Sequence, residues 1–321
     1  MILHDYLLAN TASPALASTI SALADAAIHI ADLAAQNGLP AHMSGQMSLG
    51  AVAGSVNEDG DDQKQLDILA DRLIQAALQD AGAAYYFSEE EAEPLCFDEA
   101  GELAVASDPL DGSSNIDTNA SIGTIFSIFP ADKIKDNLPP IGREQSAAGF
   151  FIYGPQTVLL LSFGKDVAAF ALSPDKAFVK MTWDVAIPSQ ASEFAINASN
   201  AAYWHPKIAE FIDDAIYGAG KETSNMRWIG SLVADAYRIF RRGGIFLYPA
   251  DTRPAYSQGR LRLVYEANPI AFLVEAAGGA ASNGDTPILD MAVTSLHQRT
   301  PLLFGSAEQL APVLPSSHSP S

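Results

Sequence analysis

Asp108-Pro-Leu-Asp-Gly-Ser-Ser-Asn-Ile-Asp117 is the stretch on which the reading of this chain turns. A β-type run at 102–107 (ELAVAS) leads into it, which puts Asp108 at a strand's carboxyl end. Pro109 lacks an N–H and fixes its own φ, so it is expected to turn the chain out of the sheet there. Asp108 and Asp111 are then held at one turn with the Leu110 carbonyl between them. Hard oxygen ligands gathered in this way suit Mg²⁺ or Mn²⁺ far better than zinc or copper. Gly112, Ser113 and Ser114 follow with backbone amides and hydroxyls, an anion site above all if a helix begins there. Carboxylates joined to a phosphate cradle are what metal-assisted phosphoryl chemistry requires. The competing reading is a solvated turn, because Asp-Pro and Asp-Gly are ordinary turn formers.

Composition narrows the classes. At 321 residues the chain is long enough for two domains, and 48% hydrophobic against 17% charged residues marks it as globular rather than disordered. A formal net charge of −20 argues against nucleic acid and anionic membranes as partners. It also means that a phosphorylated substrate needs metal ions or locally placed Arg and Lys at the site. Cys96 is the single cysteine, which rules out an intramolecular disulfide and a thiolate metal cluster and fits a reducing cytoplasm. No basic, then apolar, leader opens the chain, and no apolar run approaches the roughly 18 residues of a membrane span, so a soluble cytoplasmic protein is expected.

Ser13-Pro14 reads as a helix start, with apolar residues at helical spacing through Ala34 and Gly38 as the stop. A second helix is expected from about Gln63 to Gly82, with Leu66, Leu69, Leu73 and Ala77 on its buried face. Strands are expected at 84–87, 102–107, 122–129, 149–153, 157–163 and 167–172, with a hairpin turn at 153–156. Beyond Pro188 the pattern alternates: helices from Pro206, over 231–242 and from Pro269, strands at 245–248 and 261–264. The domain boundary falls near 188, giving 1–188 and 189–321, and 312–321 reads as a frayed tail.

A second set of acids sits away from the aspartate turn. Asp61 and Asp62 lie in an acidic loop entering the second helix, and Asp67 stands in its first turns beside apolar Leu66 and Ile68. Glu89 and Glu90 follow the strand-like Tyr85-Tyr86-Phe87, and Glu266 follows LRLVY, as a third strand-end acid. Open α/β sheets bind ligands at such strand ends.

These segments resemble the class I fructose-1,6-bisphosphatases, within the lithium-sensitive, magnesium-dependent sugar phosphatase superfamily. The resemblance rests on GDDQKQLD at 60–67, Glu89-Glu90, DPLDGSSNID at 108–117, SIGTIF at 121–126 and AAGFFIYG at 147–154. It continues with GGIFLYP at 243–249 and LRLVYEANP at 261–269. It implies a layered α-β-α-β-α fold with two sheet-containing domains, an N-terminal allosteric-type domain and a C-terminal substrate domain. It implies Mg²⁺-dependent hydrolysis of the 1-phosphate of D-fructose 1,6-bisphosphate, in gluconeogenesis or the Calvin cycle, with two or three Mg²⁺ per site and Mn²⁺ as a substitute. The implied metal ligands are Glu89, Glu90, Asp108, the Leu110 carbonyl, Asp111 and Glu266. Asp67 and Glu90 would position and deprotonate the attacking water, with Asp61 assisting. Asp111, Gly112, Ser113 and Ser114 would meet the reacting end of the substrate. Asn197, Arg227, Trp228, Tyr248 and Arg260 would hold the sugar and the 6-phosphate, with Arg227 reaching into a neighbouring subunit of a homo-oligomer, usually a tetramer.

Departures from the family pattern carry expectations of their own. Trp228 replaces a common tyrosine, Asn200 a second one, and Arg260 the usual lysine after a slightly longer loop. At the AMP-inhibition site, the expected Lys-Tyr pair falls at Glu102-Leu103 and a supporting arginine near Pro130, so AMP inhibition is expected to be weak or absent. Two other readings stay open. One is a sedoheptulose-1,7-bisphosphatase or dual-specificity enzyme; the other is a non-catalytic sugar-phosphate sensor, although Asp67, Glu89 and Asp111 are all retained.

Overall fold

The computed structural model describes residues 1–36, 52–56, 62–218 and 223–314, and only the backbone at 52–56 and 62–64. Gly60, Asp61 and the expected helix stop at Gly38 lie outside the described residues.

Helices α1 (Leu3–Asn10) and α2 (Pro14–Ala35) open the chain, and Ser13 caps α2 by accepting the Leu16 N–H at 3.1 Å. A short antiparallel pair, β1 (Val52–Val56) and β2 (Asp62–Lys64), precedes α3 (Gln65–Asp80). Eight strands then form one sheet: β3 (Tyr85–Ser88), β4 (Leu95–Cys96), β5 (Leu103–Asp111), β6 (Ile122–Pro130), β7 (Ala147–Tyr153), β8 (Thr157–Ser162), β9 (Val167–Leu172) and β10 (Phe178–Lys180). Their spatial order is β10-β9-β8-β7-β6-β5-β3-β4; β3 and β5 are parallel, and the other neighbours antiparallel.

The chain passes to a second sheet between Lys180 and Glu193. Its elements are β11 (Glu193–Ile196), α4 (Pro206–Tyr217), β12 (Asn225–Met226), α5 (Leu232–Arg242) and β13 (Ile245–Tyr248). After these come β14 (Leu261–Arg262), α6 (Asn268–Ala276), β15 (Ala280–Ser282), β16 (Arg299–Thr300), β17 (Leu302–Gly305) and α7 (Ala307–Leu310). β12, β11, β13, β17 and β15 lie side by side in that order, while β14 and β16 pair separately.

Side-chain alternation along the strands sorts the apolar residues into layers. Phe151, Leu159 and Phe170 point to one face of the large sheet, under Ile20, Leu23 and Ile30 of α2 and Leu66 and Ile74 of α3. Phe150, Ile152 and Leu160 point to the other, against Val233, Ile239 and Phe240 of α5 and Ile270 and Val274 of α6. Phe246 and Phe304 of the second sheet close that middle layer, and Phe194, Ile245 and Leu247 face Ile208 and Ile212 of α4 on its outer side. The architecture is therefore helix–sheet–helix–sheet–helix, an α/β fold.

Several local expectations are corrected. Helix α2, expected as an amphipathic helix, is long and apolar enough to cross a membrane by length and composition, yet its Leu16–Ile30 side lies in the core. In α3 the buried face centres on Leu66, Ala70, Ile74 and Leu78; Leu69, Leu73 and Ala77 pack against the same core from its edge and are only half-buried. Strand β5 does not stop at Pro109. Asp108 opposes Ile125 and Asp111 opposes Gly123, so one extra residue is taken up as a bulge where no ladder N–H is needed. Residues 261–264 do not form one strand: the chain leaves β14 into a π-helical turn at Leu263–Ala267. At the carboxyl end Val313 and Leu314 are buried rather than frayed, with the Lys207 ammonium donating to the Val313 carbonyl at 3.1 Å.

Candidate active site

The parallel pairing of β3 and β5 builds one wall. Ser88 lies opposite Ser107, so Glu89 leaves its strand beside Asp108, and the Glu89 N–H donates to the Ser107 carbonyl at 3.1 Å. Glu90 follows, its N–H on Ser88 Oγ at 3.2 Å. Asp67, on the first turn of α3, is buried. One turn later Asp71 accepts from Tyr86 Oη at 2.9 Å and Ser88 Oγ at 2.6 Å, which anchors α3 to β3 and so places Asp67.

The bulge in β5 supplies the second wall. It turns Asp108 and Asp111 to the same side, and Asp108 Oδ1 accepts the Leu110 N–H at 2.9 Å. Asp111 reaches across to the amino end of α5, where its Oδ2 accepts Ser231 Oγ at 2.8 Å and the Val233 N–H at 2.9 Å. Its Oδ1 accepts the Leu232 N–H at 3.3 Å, so this carboxylate serves as the helix's N-cap from a different element. Gly112 takes φ of 76°, and a Cβ there would stand 2.8 Å from Ser231 Cβ; the close approach requires glycine. Ser113 and Ser114 begin a three-residue 3₁₀ turn instead of an α-helix.

The third wall is the π-helical turn. Val264 and Tyr265 pack on Phe87, Ala106 and Phe129, and this lodges Glu266 against the bulge. Carboxylate oxygens of Asp108, Asp111 and Glu266 all lie within 4.8 Å of one another, and all three residues are buried. Arg262 is buried with them, its Nε 3.3 Å from Glu89 Oε1 and its backbone N–H donating to Glu266. Arg299 opposes Arg262 across the β14–β16 pair.

Negative charge exceeds positive in this pocket. Burial raises the Glu89 and Asp108 carboxyls well above the usual range, and the neighbouring carboxylates raise them further. Glu266 is pushed up to about 8, chiefly by burial, with Asp111 adding to the rise and Arg262 and Arg299 opposing it. Asp111 is raised by burial, against its bonds to Val233, Ser231 and Leu232. Buried hard oxygen donors with an uncompensated negative charge fit divalent cations.

Beyond the carboxylates lies a cationic, aromatic half. Trp228 stacks on Phe246 at 5.7 Å between centroids and meets Tyr248 edge-on at 5.8 Å. Its indole is therefore a half-buried support for Tyr248. The Arg260 guanidinium lies 5.7 Å from the Tyr248 ring centroid, and Glu266 acts electrostatically on the Tyr248 hydroxyl, which ties this half to the acidic one. Asn197 caps the following 3₁₀ helix through the Ser199 N–H, while Asn200 is buried and accepts from Arg253 at 2.8 Å. Arg227 is exposed and donates to the Met226 carbonyl, apart from the pocket.

Sequence reasoning missed Asp71, Ser231, Arg253 and Arg262. The one available signal was Arg262 itself, an arginine inside the apolar run LRLV.

A layered α/β fold that gathers buried carboxylates beside an amide- and hydroxyl-rich turn suits a metal-assisted hydrolase acting on phosphoryl groups. The family is specific. Sequence profiles of the fructose-1-6-bisphosphatase N-terminal and C-terminal domains match residues 10–182 and 187–317. The class 1 fructose-1,6-bisphosphatase of Sinorhizobium medicae is 52% identical over 304 residues, covering 92% of this chain and 85% of the relative. That of Azorhizobium caulinodans is 47% identical over 320 residues, covering 96% and 95%. The holo-form crystal structure of Leishmania major fructose-1,6-bisphosphatase superposes with a TM-score of 0.90 at 32% identity, covering 98% of this chain and 97% of that one. The chain belongs to the class 1 fructose-1,6-bisphosphatase family, whose members are in general metal-dependent.

Proposed function

We propose that this chain hydrolyses the 1-phosphate of D-fructose 1,6-bisphosphate, giving fructose 6-phosphate and inorganic phosphate, in a Mg²⁺-dependent reaction. The convergence of the Asp108, Asp111 and Glu266 carboxylates within 4.8 Å carries the reading. Glu89, Glu90, Asp108, the Leu110 carbonyl, Asp111 and Glu266 would hold two or three Mg²⁺, with Mn²⁺ as a substitute. Bound there, the cations supply charge neutralisation on the transferring phosphoryl group, a water of lowered pKa and stabilisation of the leaving oxygen. Asp67 and Glu90 orient the attacking water and accept its proton, assisted by Asp61, which lies outside the described residues. Gly112, Ser113 and Ser114 offer amides and hydroxyls to the 1-phosphate. Asn197, Tyr248 and Arg260 hold the sugar and the 6-phosphate, with Trp228 supporting Tyr248.

Residues 1–188 and 189–321 form the allosteric-type and substrate domains in this reading. Arg227 completes a neighbouring subunit's site in a homotetramer; its exposure, between exposed Met226 and Ile229, supports that role. We place the enzyme in the cytoplasm.

Phosphate release from fructose 1,6-bisphosphate and sedoheptulose 1,7-bisphosphate, with and without Mg²⁺, tests the function. Metal-dependent turnover favouring the fructose substrate is the expected result. Comparable rates would make this a dual-specificity enzyme, and no turnover of either with metal bound would leave a sensor.

Weak or absent AMP inhibition is a second expectation. Leu103 pairs with Pro130, and the Ala131 N–H donates to the Glu102 carbonyl at 2.8 Å, so the two departures from the AMP-site pattern are neighbours. The exposed Glu102 puts a negative charge there. Half-maximal inhibition of the purified enzyme at micromolar AMP or below would refute this.

A further inference from the structure

We propose that Arg253 and Tyr256, in the loop between β13 and β14, form a positioning unit that sets Arg260 and Asn200 for the second phosphate of the substrate. The inference rests on the function proposed above and extends it to residues outside the assigned site.

Arg253 is the hub. Its Nε donates to both Asp251 oxygens, at 3.0 and 3.2 Å, and Nη2 donates to Asp251 as well. Nη2 also donates to Asn200 Oδ1 at 2.8 Å. The guanidinium lies 4.1 Å from the Tyr203 ring centroid and 4.7 Å from that of Tyr256. Tyr256 carries a second guanidinium: Arg260 Cζ stands 3.6 Å from the same centroid. One ring is thus shared by two cations, and a planar guanidinium stacks on such a face.

The charges divide the labour. Asp251 is buried and pairs with Arg253, so that cation is neutralised and its Nε and Nη2 are occupied. Arg260 acts on Asp251 electrostatically and on the Tyr248 hydroxyl, but among the described residues no carboxylate pairs with it at ion-pair distance, so its charge can still answer an anion. Because arginine only donates, the Asn200 atom facing it must be the amide oxygen, which leaves the Asn200 NH₂ as a donor for a ligand oxygen. Arg253 therefore sets the polarity of one candidate phosphate contact directly, and the ring orientation behind the other through Tyr256.

Both ends of the loop are fixed. Trp204 bridges Asp251 in antiparallel fashion, and the Thr252 N–H donates to the Tyr203 carbonyl at 2.9 Å. At the exit, Gly259 has φ of 81° and its Cβ position lies 2.2 Å from Pro301 N, so the chain passes too close to β16 for any side chain. Arg260 thus starts from a pinned backbone, and the Tyr256 ring restrains its long side chain.

The test is steady-state phosphate release from fructose 1,6-bisphosphate, with product inhibition by fructose 6-phosphate, which retains only the second phosphate. Mg²⁺ half-saturation reports separately on the carboxylate centre. Tyr256→Ala is expected to raise KM and the fructose 6-phosphate inhibition constant together by about tenfold. The expected kcat stays within about twofold and Mg²⁺ half-saturation is unmoved. Tyr256→Phe keeps the ring face and should restore the wild-type KM. Arg253→Ala should follow Tyr256→Ala, and Arg253→Lys should not rescue it, because an ammonium cannot hold Asp251 and Asn200 in one plane. Both positions are partly exposed in a surface loop, and thermal unfolding midpoints check that the variants fold. Unchanged KM and inhibition constants in Tyr256→Ala and Arg253→Ala would overturn the inference while the proposed function stands. Equal damage to kcat and Mg²⁺ half-saturation would reduce the unit to a structural role and overturn it too. A wild-type enzyme that releases no phosphate would instead remove the functional reading, and this inference with it.

Discussion

Asp111→Ala is expected to lower kcat by at least about 10³-fold and also to lower the unfolding midpoint, whereas Asp111→Asn should lose activity and keep most of the stability. The two effects separate because the carboxylate has two duties. Its oxygens belong to the group lying within 4.8 Å at the proposed metal centre. They also accept Ser231 Oγ and the Leu232 and Val233 amides at the start of α5. Alanine leaves those buried donors without an acceptor, which costs about 1–3 kcal/mol by analogy with lost N-caps and unsatisfied buried groups. Asparagine can put its Oδ1 where Oδ2 now accepts Ser231 and Val233, losing only the longer bond to Leu232. It cannot supply the negative charge. Phosphate-release kinetics and thermal melts on both variants decide the matter: an alanine variant with more than about a tenth of wild-type kcat would sink the ligand role.

The metal-free protein should become more stable as pH falls from 8 to 6. Glu266 is pushed up to about 8, Asp235 to about 7 by its burial, and Glu89, Asp108 and Asp111 are raised as well. Unfolded, these carboxyls would titrate near 4, so between roughly pH 4 and 8 the folded chain holds more protons than the unfolded one. Stability from such groups is fully present below the unfolded values and is lost as pH rises through the folded ones. The slope is about 1.4 kcal/mol per pH unit for each extra proton, enough to move the melting midpoint of a chain this long by about two degrees per unit for each such proton. Mg²⁺ binds the deprotonated carboxylates, so its stabilising effect should be larger at pH 8 than at pH 6. Melting the chelated protein across this range is the check, with Glu266→Gln as a control that should flatten the slope by about one proton. A flat or rising midpoint from pH 6 to 8 would refute the account.

Much of this was legible locally. The short apolar runs that marked 167–172 and 245–248 are found as β9 and β13 with those bounds, and the Ser13 cap and Pro14 start of α2 stand where turn chemistry placed them. The pairing of Asp108 with Asp111 was readable because both acids sit within one turn's reach of a proline and a glycine. What failed were statements about direction and company. The α3 face was off because its burial is set by α2 and the sheet, not by its own period alone. Pro109 read as an exit from the sheet, since nothing local says that a bulge opposite Gly123 and Ile125 would absorb it. Glu266 read as a strand-end acid because an apolar run cannot distinguish a strand from a π-helical turn packed on Phe87 and Phe129.

By itself, then, the sequence determined the chemistry available: which segments are apolar and periodic, where acids follow strands, and where a glycine and two serines follow an aspartate. Only the tertiary structure decided which of those groups meet. Asp111 finds Ser231 and Val233 across more than a hundred residues, Arg262 is buried among carboxylates, and Arg253 joins Asn200 to the loop beneath Arg260. The physical reason is range. Propensity and turn chemistry act within a few residues, whereas the balance of burial and charge at the site is summed over segments that only the packed sheets bring together.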